Sequence, residues 1–130
     1  MDNATKRRTI LVVEDDFDIR ALLCNFFESE NFDVLSAENG KAALEVLRTT
    51  KAPDLILLDL MMPVMDAMEF RKIQESDPKI AGVPVLVMSA DPNVDVKRLT
   101  LGVNEYVRKP IDVETLLSAV EKVLSRPRPS

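Results

Sequence analysis

The sequence has no histidine and a single cysteine, Cys24, among its 130 residues. The missing histidine removes Ser-His and Cys-His nucleophile pairs and His-ligated zinc together. One cysteine cannot close an internal disulfide, so the chain suits a reducing compartment, and Cys24 is read as core packing. Only three glycines are present, Gly40, Gly82 and Gly102. They are too scattered to build the glycine-rich phosphate loop of a Rossmann or P-loop domain. Apolar runs such as Leu55-Ile56-Leu57-Leu58 fall far short of the roughly 20 residues of a membrane helix, and the N-terminus lacks a signal-peptide pattern. Positive charge is also scarce. The 17 Lys plus Arg against 22 Asp plus Glu leave a net charge of -5, which argues against a phosphate-backbone binder and for acidic or cation-binding sites. The expectation is a cytoplasmic protein with no direct nucleic-acid partner and no membrane partner.

Apolar residues make up 46% of the chain and charged residues 30%, enough for one packed core at this length. Ile10-Leu-Val-Val13, Leu55–Leu58 and Val83–Met88 are runs without polar alternation. Such runs suit strands covered on both faces, as in a parallel sheet flanked by helices. Between them lie helical patterns. Ile19, Leu22, Leu23 and Phe26 recur at helical spacing over 17–28 behind an N-terminal Asp16, and Ala42, Ala43, Leu44 and Leu47 follow Asn39-Gly40 until Pro53 forbids continuation. The same reading gives helices over 66–74, 93–101 and from Asp112 onward, with weaker strands at 32–35 and 105–108. Five strands alternating with five helices predict an α/β fold: a doubly wound, five-stranded parallel sheet, flavodoxin-like, with helices on both faces.

In such a sheet ligands bind beyond the carboxyl ends of the strands. Those ends carry Glu14-Asp15-Asp16, Asp59, Ser89 and Lys109-Pro110, which are acids, a hydroxyl and an amine. Carboxylates brought within about 4–6 Å repel unless a cation compensates. An all-oxygen site without His or Cys selects Mg²⁺, Mn²⁺ or Ca²⁺, and Mg²⁺ commonly shares its shell with a phosphoryl group. Phosphoryl chemistry is therefore the leading expectation, with Asp16 assigned to helix capping.

The motifs Ile10-Leu-Val-Val-Glu-Asp-Asp16, Leu57-Leu-Asp-Leu-Met-Met-Pro63 with Met65-Asp66, Met88-Ser89-Ala90 and Tyr106-Val-Arg-Lys-Pro110 resemble the receiver domains of two-component response regulators, the CheY-like superfamily. The resemblance spans residues 9–125, leaving 1–8 as an N-terminal extension and 126–130 as a tail or linker stub. It implies that Asp59 is the phospho-acceptor and that Glu14 and Asp15 serve Mg²⁺ together with Asp59 and the carbonyl of Met61. It also implies Lys109 as the phosphate-side amine, Ser89 as the switch hydroxyl, Tyr106 as the switch aromatic, and Met61 and Asp91 as positions that tune phosphoryl lifetime. The implied partners are a histidine kinase or His-phosphotransfer protein and a downstream effector or output domain, with a phosphorylation-dependent homodimer left open. The implied activity is self-catalysed phosphorylation and dephosphorylation of Asp59, in a regulatory domain rather than an enzyme.

Ala67 stands where receivers usually carry Gly after Asp66; if the backbone there needs φ > 0, Ala costs about 1 kcal/mol and strains the loop. Apolar Met61 is expected to hinder water and give a phosphorylated state that is not especially short-lived. Partner specificity is expected on the first helix at Arg20, Leu23, Asn25 and Phe27. A phosphohydrolase of the haloacid dehalogenase type also uses a strand-end Asp, but its second Asp is replaced here by Met61. The remaining alternative is a phosphorylation-independent scaffold on the same fold.

Overall fold

The computed structural model describes residues 7–60, 65–90, 102–103 and 105–126. Five strands, β1 (Thr9–Val13), β2 (Asp33–Ala37), β3 (Leu55–Asp59), β4 (Val85–Ser89) and β5 (Glu105–Arg108), alternate with helices α1 (Phe17–Ser29), α2 (Gly40–Thr49) and α3 (Ala67–Ser76), and α4 (Val113–Leu124) closes the order. The helix expected over 93–101 lies outside the described residues. All strands are parallel in one sheet of order β2-β1-β3-β4-β5. The doubly wound architecture is therefore present.

The unbroken apolar runs have the structural consequence expected of them. Every residue of β3 and β4 is buried. Successive side chains alternate between faces: Leu11, Val13, Ile56, Leu58, Val85 and Val87 point into the layer under α2 and α3. Ile10, Val12, Leu55, Leu57, Leu86 and Met88 point into the layer with Leu23 and Phe27 of α1 and Leu116 and Val120 of α4. In β2 the strand begins at Asp33, one residue later than expected. Phe32 instead packs edge-on to Phe27, with ring centroids 5.6 Å apart.

The helices start on side-chain caps that satisfy free backbone N–H groups. Asp16 accepts from the Ile19 N–H at 3.0 Å, Asn39 from Ala42 at 2.8 Å, and Asp66 from Glu69 at 2.9 Å. Asp66 is extended, with φ -78° and ψ 171°, and Ala67 is the first helical residue behind it. Ala67 therefore does not occupy the left-handed region, and the strain expected there is absent. Among the described residues the positive-φ positions are Asn31 and Gly102. Two expected specificity positions on α1 are corrected as well: Leu23 and Phe27 are fully buried in the core, whereas Phe17 and Leu22 are exposed.

Candidate functional site

Strand register sets the site. Val13 of β1 lies beside Leu58 of β3, so Glu14 comes next to Asp59. Asp59 lies beside Met88, so Ser89 stands one step beyond, and Ser89 lies beside Arg108, so Lys109 follows. The Lys109 N–H donates to the Ser89 carbonyl at 2.8 Å. The residues after the strands thus meet at one end of the sheet, at the β1–β3 boundary where the winding direction reverses.

Oxygens of Glu14, Asp15 and Asp59 all lie within 4.8 Å of one another. Glu14 is fully buried, Asp59 is 3% exposed, and Asp15 is exposed. The Lys109 ammonium bridges the two buried acids, 2.9 Å from Glu14 Oε1 and 3.5 Å from Asp59 Oδ2. It therefore lies nearer Glu14 than the acceptor assigned by resemblance, a preference that no motif reveals because it depends on side-chain reach.

One ammonium among three carboxylates leaves the cluster short of positive charge. Burial raises the Asp59 carboxyl first, the Glu14 charge raises it further, and Lys109 only partly opposes them, leaving it at about 7. Burial works against the charge on Lys109, but hydrogen bonding to Glu14 and the charges of Asp59 and Glu14 outweigh it and hold the amine above its ordinary value. Glu14 Oε1 is buried, and Lys109 Nζ faces it at 2.9 Å. Hard oxygen donors within 4.8 Å of one another and excess negative charge fit a hard divalent cation. The described residues contain no second acidic group of this kind.

Ser89 is buried at the end of β4, and Tyr106 is half-buried on β5 against the layer under α2 and α3. The Arg108 guanidinium lies 5.6 Å from the Tyr106 ring centroid. Met61 and Asp91 lie outside the described residues. Arg20, expected only as a partner-specificity position, also belongs to this site. Its Nη1 donates to the Glu14 carbonyl at 2.8 Å, and its place one helical turn after the acidic run was the available signal.

Residues 10–121 match the sequence model of the family described as the response regulator receiver domain. The chain is 32% identical over 124 residues to the phosphate regulon transcriptional regulatory protein PhoB of Pseudomonas aeruginosa, covering 94% of this chain and 54% of that protein. It therefore spans about half the length of that relative. Against the sporulation initiation phosphotransferase F of Bacillus subtilis it is 35% identical over 118 residues, covering 88% of this chain and 92% of that one. Among solved structures, the chemotaxis protein CheY4 of Vibrio cholerae superposes with a TM-score of 0.83 at 26% identity, covering 91% of this chain and 99% of that one.

Proposed function

The chain belongs to the response regulator receiver domains, and from that membership we propose that it is a switch which takes a phosphoryl group onto Asp59 from a partner histidine kinase or His-phosphotransfer protein. The observation that carries the reading is the meeting of Glu14, Asp15, Asp59 and Lys109 at one end of the sheet. The sequence has no histidine, so the donor imidazole belongs to a partner. An Asp59 carboxylate oxygen attacks phosphorus, the new P–O bond forms as the donor P–N bond breaks, and the imidazole leaves.

Glu14, Asp15 and Asp59, with the Met61 carbonyl, are the residues that would hold Mg²⁺, which when bound neutralises charge on the transferring group. Lys109 lies within reach of Asp59 and meets a phosphoryl oxygen as a compact point charge. Ser89 donates to another oxygen, which draws its loop inward and opens space for Tyr106. Met61 and Asp91 govern the approach of water and so the lifetime of the aspartyl phosphate, whose loss Asp59 and its neighbours catalyse themselves. Residues 9–125 form the receiver unit. Its readers are an effector protein or output domain, and with a net charge of -5 the chain acts through proteins rather than nucleic acid. A cytoplasmic place goes with this reading, and no helix among the described residues is long and apolar enough to cross a membrane.

Acetyl phosphate tests the proposal, read as intact mass with and without Mg²⁺. The wild type gains one phosphoryl group only with Mg²⁺, and Asp59→Asn gains none. A folded wild type that takes up no phosphoryl group under sampling fast relative to hydrolysis favours the phosphorylation-independent scaffold instead.

A further inference from the structure

Glu14 is held at four points. Its N–H donates to the Ala37 carbonyl at 3.1 Å, and its Oε2 accepts from the Asp16 N–H at 3.1 Å. Its Oε1 faces Lys109 at 2.9 Å, and its carbonyl accepts from Arg20 Nη1 at 2.8 Å. Three of these contacts come from the sheet or from the loops at its end. The fourth reaches back from α1, where the Arg20 N–H bonds the Asp16 carbonyl at 2.9 Å. Arg20 therefore closes a ring around Glu14-Asp15-Asp16, gripping the loop at both ends.

Its guanidinium also lies 5.5 Å from the centroid of the Phe17 ring, within cation–π range. Phe17 is 70% exposed and belongs to neither apolar layer. An exposed ring at the first position of a helix gains little from burial. Stacked on the guanidinium, it limits the rotamers open to a long, flexible side chain.

We propose that Arg20, steadied by the Phe17 ring, is a positioning residue for the cation site: by holding the Glu14 carbonyl it fixes the backbone from which Asp15 presents its carboxylate. The inference rests on the reading of Glu14, Asp15 and Asp59 as a divalent-cation site. Two physical effects compete at this position and have opposite signs. A guanidinium beside an acidic cluster repels an incoming dication, so charge alone makes Arg20 a hindrance. A group that orients ligands from behind lowers the cost of ordering them, so positioning makes Arg20 a help.

Mn²⁺ titration followed by electron paramagnetic resonance, on the full chain, separates these effects without reference to phosphorylation. Arg20→Met keeps the length of the side chain and removes charge and donor, and is expected to weaken Mn²⁺ binding on the order of 10-fold. Arg20→Lys retains a donor that reaches the carbonyl and recovers most of the loss, and Phe17→Ala falls between wild type and Arg20→Met. Circular dichroism at the titration temperature establishes that each variant is folded. Binding by Arg20→Met as tight as wild type, or tighter, overturns the positioning role while leaving the cation site intact. A wild type that binds no Mn²⁺ overturns the cation reading and this inference with it.

Discussion

Asp59 holds its proton to near-neutral pH because burial and the Glu14 charge outweigh the ammonium of Lys109. The sign of the resulting pH dependence is fixed. A carboxyl at about 7 in the folded protein against an ordinary 3.8 binds more protons folded than unfolded across that interval, so metal-free stability falls as pH rises from about 4 to about 7. Asp59→Asn removes the buried charge. In chelator, the variant is expected to exceed wild type at pH 8 by roughly 2–4 kcal/mol, and the gap closes toward pH 4. Urea unfolding across that range measures it, and a gap that does not vary with pH contradicts the assignment. At this scale the sequence was legible where an apolar run stops abruptly, as at Val13-Glu14 and Leu58-Asp59. It was not legible where the answer depends on side-chain reach, as in the nearer approach of Lys109 to Glu14, or on backbone angles, as at Ala67, which begins a helix instead of a left-handed turn.

At the level of elements, α1 shows why pattern alone left its faces ambiguous. Apolar residues at 19, 22, 23, 24, 26 and 27 cover more than half of the helix circumference, so more than one stripe is compatible with a 3.6-residue period. The docked helix buries Leu23 and Phe27 and leaves Leu22 exposed. The connection from α3 to β4 depends on a device that periodicity does not register. Gln74 is fully buried, its Nε2 donates to the carbonyls of Ile80 and Val83 at 2.9 and 3.0 Å, and its Oε1 accepts from Arg71 at 2.6 Å. Gln74→Ala removes three buried hydrogen bonds and is expected to cost about 3 kcal/mol, against about 1 kcal/mol for the cap change Asn39→Ala. Equal losses for the two variants in urea unfolding would show that the Gln74 network contributes no more than a helix cap. Lys79 makes a comparable link, donating to the carbonyls of Leu47 and Thr50 at the end of α2 at 2.9 Å each, where a cation also suits the helix dipole.

For the whole molecule, the alternation of apolar runs and helical patterns announced a doubly wound parallel sheet, and the coordinates give its order, β2-β1-β3-β4-β5. That order puts β1 beside β3 at the sheet's point of reversal, which is why Glu14 and Asp59, far apart in sequence, share one site. The two apolar layers hold the strands rigid and leave the chemistry to the loops at their carboxyl ends. The architecture and the residues at those ends were therefore readable together, while the ring that Arg20 closes behind them required coordinates, since a place one helical turn after the acidic run does not show that the partner is a backbone carbonyl. The central claim is that Asp59 itself receives the phosphoryl group. Borohydride reduction after acetyl phosphate treatment with Mg²⁺ tests it most directly, because an acyl phosphate is reduced to the alcohol where a free carboxylate is not. Peptide mass spectrometry is expected to find homoserine in place of Asp59, with Glu14 and Asp15 unaltered. Reduction at Glu14 or Asp15, with Asp59 intact, would contradict the account.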